Sequence, residues 1–146
     1  MIILSFARTT AALVARQKTV TRREWSDPYF ARMKKALDAA IASGDKGLLA
    51  QAWSASPHRK GRKVGTILIT SLTREETTTI PDSDWEAEGF AYMVKHGLNL
   101  GKEIDCHLMW ETWRETPGLV TAVVRFEVVS IEEGIATEHF FPGATA

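Results

Sequence analysis

The sequence predicts an α+β domain, because segments typical of strands alternate with segments that begin like helices. Apolar or β-branched runs of strand length occupy residues 2–6, 48–53, 64–72 and 120–129. Helix starts are indicated by Asp27 before Pro28 and by Ser83 three residues before Glu86, which is the capping-box spacing. The 146 residues suit one compact domain, and no segment has the composition of a linker. We therefore expect a single domain over residues 1–146.

The first half of the chain predicts a strand, a short helix, an extended run, a long helix and a second strand. Thr9 or Thr10 caps a short helix that ends near residue 14. The helix over residues 28–43 carries apolar side chains at helical spacing, and Gly44 ends it. Residues 54–62 then form a loop that leads into the strand at 64–72.

The second half predicts two further helices and the longest strand. Residues 77–79, three threonines, are expected to be extended. One helix begins near residue 84, runs to about residue 96 and ends at Gly97. Another spans residues 102–114 and is terminated by Pro117 and Gly118 before the strand at 120–129.

Composition limits the compartment and the class of protein. Cys106 is the only cysteine, so no disulfide forms within the chain, which is compatible with a reducing cytoplasm. No apolar run reaches membrane-spanning length. The apolar N-terminus is short and is followed by Arg8 and Arg16, so it reads as a first strand rather than a signal peptide. We expect a cytoplasmic protein with no membrane partner.

The net charge of zero conceals an asymmetry along the chain. Residues 1–63 carry thirteen Lys and Arg against four Asp and Glu, a charge of +9, and residues 64–146 carry five against fourteen, a charge of −9. Such a split favours a basic face for a polyanion such as RNA. The alternative is that the two halves interleave in the fold and neutralise each other.

The run over residues 18–23, K-T-V-T-R-R, concentrates polar chemistry in six residues. If the run is extended, Lys18 and Arg22 lie on one face with Val20, and Thr21 and Arg23 lie on the other. A turn before the run would bring Lys18 towards Thr21. Cations and hydroxyls in this pattern indicate a site for an anion, a nucleoside or an acyl group, whereas the alternative is an ordinary strand with solubilising arginines at its edge.

Several segments resemble the ASCH domains, a branch of the PUA-like barrels. The segment R-Q-K-T-V-T-R-R-E-W at residues 16–25 is similar to the family signature R-K-T-x-T-R-R-W, and D-W-E-A-E-G-F at 84–90 is similar to its D-x-x-x-E-G-F helix start. Weaker matches lie at residues 63–69, 110–113 and 123–128. The resemblance covers residues 2–129. It implies a small, mostly antiparallel PUA-like β-barrel with helices around it, in which the helix at 28–43 is an insertion.

The resemblance also implies a catalytic set. Small ASCH enzymes that hydrolyse N4-acetylcytidine, which are shorter than this chain, use a lysine, a threonine and a glutamate, and motif alignment places Lys18, Thr21 and Glu88 on them. The chemistry is consistent, because a threonine hydroxyl needs a neighbouring base and nearby cations such as Arg22 and Arg23 depress the pKa of a lysine. The alternative is that Lys18 and Glu88 form a structural salt bridge at the barrel mouth.

A second set of residues has the composition of a nucleic-acid interface. Basic side chains cluster in the loop at residues 58–63, and phosphate contacts from such loops give sequence-independent affinity. The candidate RNA-binding residues are Arg22, Arg23, Trp25, Arg59, Lys60, Arg62 and Lys63. The alternatives are a solvated loop and, for the tryptophans, core packing.

Two functions from different classes remain open. The first is a domain that binds RNA or a modified nucleotide, and the second is a hydrolase acting on an N4-acylated cytidine-type nucleoside or on RNA. The four histidines lack metal-ligand spacing, and no phosphate loop or dinucleotide fingerprint is present, so no metal and no cofactor are expected.

Overall fold

The computed structural model describes residues 2–141, and these form one curled sheet with helices packed against it. The strands are β1 Ile2–Ser5, β2 Val20–Arg23, β3 Leu48–Trp53, β4 Lys63–Glu76 and β5 Val120–Ile131. The helices are α1 Thr10–Val14, α2 Asp27–Ala42, α3 Asp84–Ala87, α4 Phe90–Lys95 and α5 Cys106–Arg114. Short 3-10 turns cover Ala7–Thr9, Pro57–Arg59, Thr77–Thr79 and Thr137–Phe140. None of the helices within residues 2–141 is long and apolar enough to cross a membrane.

The sheet is an open half-barrel rather than the closed barrel that the resemblance implied. Its strand order is β1-β3-β4-β5-β2, with β1 parallel to β3 and every other pair antiparallel. Irregularities in the β4–β5 register at Thr66/Ile67 and Ile69/Ser71 accompany the curl of the sheet. The two outer strands, β1 and β2, have four residues each and do not pair within the described part of the chain. We call the gap between them the seam.

Two apolar clusters flank strand β2. The larger one fills the concave side of the sheet, and α2 closes it with Met33 and Leu37. The smaller one lies between α1, α4 and α5, and it contains Phe90, Met93 and Cys106.

The single helix expected over residues 84–96 is broken at Gly89. This residue separates α3 from α4 and has φ +86°, a left-handed conformation that glycine adopts without strain. A Cβ at Gly89 would lie 2.7 Å from the Cβ of Ala12 and 3.3 Å from that of Lys18. The break at Gly89 therefore allows α3 and α4 to lie close to the segment that precedes β2.

Two other predicted elements differ from the structure in bounds or type. The helix expected from residue 102 begins at Cys106, because the Asp105 side chain accepts a hydrogen bond from the Leu108 amide and caps it there. Residues 77–79 form a 3-10 turn instead of an extended segment. Thr77 is buried in that turn, and its hydroxyl donates to the Trp113 carbonyl oxygen at 2.7 Å.

The basic and acidic halves of the chain interleave. Strand β2 from the basic half pairs with β5 from the acidic half, and β3 pairs with β4. Ion pairs such as Lys18–Glu88 and Lys63–Glu132 then join the two halves directly. The charge split in the sequence is thus largely neutralised within the fold.

Replacing Gly89 with alanine should destabilise the protein more than the same change at Gly97. Both glycines have positive φ, so each variant loses about 1–2 kcal/mol to the left-handed backbone. Gly97 has open space where a Cβ would stand, whereas Gly89 faces Ala12, and this overlap should cost Gly89→Ala about 1–3 kcal/mol more. Urea unfolding measures the difference, and equal losses would contradict the close approach.

Candidate functional site

Glu88 holds two cations in the protein interior. Lys18 Nζ donates to Glu88 Oε1 at 3.1 Å and to the Glu88 backbone oxygen at 2.8 Å, and Arg22 Nη1 donates to Glu88 Oε2 at 2.7 Å. Lys18 is 1% exposed and Glu88 is 2% exposed. The backbone contact exists because the break at Gly89 leaves the Glu88 carbonyl at a helix end, where it requires a donor.

Asp84 extends this network to strand β5. It accepts a 2.5 Å hydrogen bond from Arg22 Nη2 and a pair of 3.0 Å bonds from the two terminal nitrogens of Arg125. Burial alone would raise the pKa of the Asp84 carboxyl, but Arg125 and Arg22 together hold it below its usual range. We call Lys18, Arg22, Asp84, Glu88 and Arg125 the ionic network.

Local geometry explains how two short segments build the ionic network. Asp84 and Glu88 are four residues apart at the two ends of α3, so they lie on one face of the turn. Lys18 and Arg22 lie on one side of the extended run that includes β2. The Thr19 amide donates to the Ala87 carbonyl oxygen at 2.8 Å, which fixes the two segments side by side.

Thr21 and Arg23 occupy the opposite side of β2. Arg23 Nε donates to Thr21 Oγ1 at 3.2 Å, and Arg23 Nη2 donates to the Ser5 carbonyl oxygen at 2.6 Å. The guanidinium also lies 5.2 Å from the centre of the Phe6 ring. This is the alternation that an extended run predicts, and Arg23 bridges the seam where a strand pairing is missing.

A cavity of about 170 Å³ opens beside the ionic network, and we call it the Lys18 cavity. Its polar side is formed by Thr9, Lys18, Thr21, Arg22 and Glu88, and its apolar side by Phe90, Leu100, Met109 and Trp113. The rings of Phe90 and Trp113 are stacked, with centroids 5.7 Å apart. Because β2 is an edge strand, Thr21 reaches this cavity from the other side of the strand.

The cavity is electropositive in composition. Burial lowers the pKa of Lys18. The neighbouring charges of Arg23 and Arg22 lower this pKa further, whereas Glu88 raises it. The lining carries two cations, Lys18 and Arg22, and one carboxylate, Glu88, which leaves an excess of +1 if all are ionised. This excess favours either a neutral lysine or a ligand with acceptor atoms.

The apolar wall of the cavity was not predicted from the sequence. Trp113 packs against the smaller apolar cluster and also lines the cavity. Leu100 and Met109 carry no motif, because an isolated apolar residue does not reveal whether it meets protein or empty space. The functional signal in the sequence lay only on the polar side.

Three of the candidate RNA-binding residues are buried or partly buried. Arg22 is buried between two carboxylates, and Arg23 is partly buried at the seam. Trp25 packs edge-on against Tyr29, at 4.9 Å between ring centres, and borders the larger apolar cluster.

The basic loop does not line the Lys18 cavity. Arg59, Lys60 and Arg62 are exposed, and Arg62 contacts the His139 ring nitrogen at 3.2 Å. Lys63 is partly buried and pairs with Glu132 at 3.1 Å. Lys63 stands at the start of β4 beside the end of β5, whereas Arg22 pairs with Val123 near the start of β5. Across the seam the route is short, because Lys63 pairs with Trp53, Trp53 pairs with Ser5, and the Ser5 carbonyl oxygen accepts a hydrogen bond from Arg23.

The described residues were also compared with the arrangement that a metal ion requires. Within residues 2–141 no group of three or more His, Cys, Asp or Glu side chains is arranged to hold a metal ion.

No protein-family model matches the chain. No curated protein matches it. Among solved structures it is similar to protein EF3133 from Enterococcus faecalis V583, described by the family model DUF984, with a TM-score of 0.48, 14% identity, and coverage of 92% of this chain and 83% of that one.

Proposed function

We propose that the chain is an ASCH-type domain that binds RNA or a modified nucleotide and that the Lys18 cavity receives the base. The observation that supports this is the division of one cavity into an aromatic and aliphatic wall and a wall of charged and hydroxyl groups. An apolar enclosure with a few convergent polar groups is the usual form of a small-molecule site. The residues of the ASCH-like motif form the polar wall.

The size of the cavity selects the part of the ligand that enters. At about 170 Å³ it is smaller than the roughly 300–1,000 Å³ typical of pockets that enclose drug-sized ligands. A single heteroaromatic ring or an acyl group suits it, and a whole nucleotide does not. The sugar and phosphate of the ligand would then remain outside the Lys18 cavity. This arrangement suits the base of an RNA strand or of a free nucleotide.

The polar wall has hydrogen-bonding capacity left for a base edge. Lys18 as an ammonium has three donors, of which two are directed at Glu88. The Thr21 hydroxyl accepts from Arg23 and retains its own proton to donate. Both groups therefore complement acceptor atoms such as the carbonyl oxygen and ring nitrogen of cytosine.

A hydrolase is the second candidate, and the contact between Arg23 and Thr21 favours it. A guanidinium that donates to the hydroxyl oxygen stabilises the alkoxide that forms when Thr21 loses its proton. In this reaction neutral Lys18 takes the Thr21 proton as Thr21 Oγ bonds to the acyl carbon. The C–N bond of the amide then breaks, Lys18 returns the proton to the leaving amine, and water hydrolyses the acyl ester to release a carboxylic acid.

RNA binding through the basic loop is a separate part of the proposal. Arg59 and Lys60 are exposed on that loop, and both suit phosphate contacts. Because the loop does not line the Lys18 cavity, it would hold a polymer at a second point. Its contribution would be affinity without sequence preference.

Filling the Lys18 cavity should abolish nucleoside binding. Met109→Trp places a large side chain in the apolar wall, whereas Leu108→Trp places the same side chain at an exposed neighbour that is outside the cavity. We expect cytidine and N4-acetylcytidine to bind the Leu108→Trp variant with unchanged affinity and the Met109→Trp variant at least about tenfold more weakly, a loss of about 1.4 kcal/mol. Calorimetric titration measures this, and equal affinities would remove the base-binding role.

Removing the Thr21 hydroxyl should separate hydrolysis from binding. Thr21→Val keeps the shape of the side chain, and Thr19→Val is the control at an exposed position outside the cavity. If the protein hydrolyses N4-acetylcytidine, Thr21→Val should abolish turnover while Thr21→Ser retains part of it, and the loss should appear in kcat. Chromatography of cytidine and acetate measures turnover.

The Lys18→Arg variant tests the hydrolase function through the base rather than through the nucleophile. Arginine keeps the charge but supplies no neutral base, so turnover should fall nearly as far as in Lys18→Ala. Circular dichroism confirms that each variant folds. Full turnover in a folded Lys18→Arg protein, or none in the wild type, would leave binding as the function.

RNA affinity should depend on salt through the basic loop. Replacing Arg59 and Lys60 together with alanine should weaken binding to unrelated RNA sequences equally and reduce the salt slope by roughly the two contacts removed. The control removes two exposed lysines elsewhere, Lys35 and Lys46. An RNA affinity that responds equally to both double variants would show that the loop is only a solvated surface.

A further inference from the structure

A second cavity lies at the seam, on the other side of β2 from the ionic network. It measures about 480 Å³ and is formed by the β1 edge, the end of β2 and the start of α2. Its lining side chains include two guanidiniums, Arg23 and Arg32, and two aromatic rings, Trp25 and Tyr29. We call it the seam cavity. At this size it admits a complete nucleotide, which the Lys18 cavity does not.

Arg23 is a partly buried cation that forms no hydrogen bond or ion pair with a carboxylate among residues 2–141. Its two side-chain hydrogen bonds there go to the Ser5 carbonyl and the Thr21 hydroxyl, both neutral. The contrast with Arg22, the preceding residue, is direct, because Arg22 pairs with two carboxylates. Burial lowers the pKa of Arg23, which reflects the cost of a desolvated charge without a direct counter-ion.

The free capacity of Arg23 is compatible with an anion in the seam cavity. A guanidinium has five N–H groups, and Ser5 and Thr21 occupy two of them. Arg32 adds a second guanidinium, which is exposed and lies 5.3 Å from the centre of the Tyr29 ring. Glu24 is the one acidic side chain among the lining residues, so the cavity has a formal excess of +1.

We infer that the seam cavity binds the phosphate of a nucleotide, with Arg23 and Arg32 on the phosphate and Trp25 or Tyr29 against the base. Planar guanidiniums match phosphate oxygens in pairs, and two of them favour a dianionic group over a single carboxylate. Aromatic side chains next to them give a base a stacking surface. This site goes beyond the proposed base pocket, because it lies on the opposite side of β2 and depends on different residues.

The test compares ligands that differ only in phosphate. Cytidine 5′-monophosphate should bind the wild type at least about tenfold more tightly than cytidine, a difference of about 1.4 kcal/mol, in calorimetric titrations. Arg32→Gln should remove most of that difference, and Lys35→Gln, an exposed cation on the same helix outside the cavity, should retain it. The Trp25 indole N–H signal, identified with Trp25→Phe, should shift with the monophosphate and not with inorganic sulfate.

Three outcomes would overturn the inference. These are equal affinities for nucleoside and monophosphate, an equal response of Arg32→Gln and Lys35→Gln, and benzoate binding as tightly as the monophosphate. Arg23→Gln is the second variant, and it counts only when its circular dichroism matches the wild type, because Arg23 also bridges the seam. Arg32 is exposed, so the Arg32→Gln variant tests the inference whether or not Arg23→Gln folds.

Two further arms separate the sources of the phosphate and the two cavities. If a short RNA competes with the monophosphate and binds the Arg32→Gln variant more weakly, the ligand is an RNA strand. If RNA does not compete, the ligand is a free nucleotide. In the Met109→Trp variant the phosphate-dependent binding should persist, because the seam cavity is untouched. Its loss there would contradict a separate site, whereas failure of base binding alone would affect only the proposed function.

Discussion

The ionic network is the interaction on which the rest of the structure depends. Glu88 and Asp84, at the two ends of α3, pair with Lys18 before β2 and with Arg22 in β2. Arg125 ties Asp84 to β5. A complete buried network adds little net stability, but removing one member leaves an uncompensated charge at a cost of about 3–5 kcal/mol. The network therefore works as a constraint on geometry, since it permits only one placement of α3 against the edge strand.

This constraint also makes fold and site difficult to separate. The side chains that position α3 are the ones that form the polar wall of the Lys18 cavity, so a variant of Glu88 or Arg22 disturbs both. Thr21, Met109 and the seam arginine Arg32 lie outside the network. Changes at those positions report on ligands without altering the buried charges, which is why they give the clearer experiments.

Local patterns predicted most of the elements and most residues of the polar wall of the Lys18 cavity, while the rest depended on contacts distant in sequence. Alternation along residues 18–23 placed Lys18 with Arg22 and Thr21 with Arg23, as the hydrogen bonds show. The break at Gly89 was not predictable, because a capping box and helical spacing indicate one helix until Ala12 and Lys18 are known to approach. The open seam and the apolar cavity wall depend on tertiary packing in the same way.

Strand β2 divides two cavities and also joins them chemically. Arg23 lines the seam cavity, and its Nε donates to Thr21, which lines the Lys18 cavity. A phosphate drawn to the Arg23 guanidinium would offset part of its positive charge, and the acidity that Arg23 lends to the Thr21 hydroxyl would fall. An anion at the seam thus favours Thr21 as a hydrogen-bonding group over Thr21 as a nucleophile. If Thr21 is a nucleophile, the placement of Arg23 would make its reactivity depend on whether the seam is occupied.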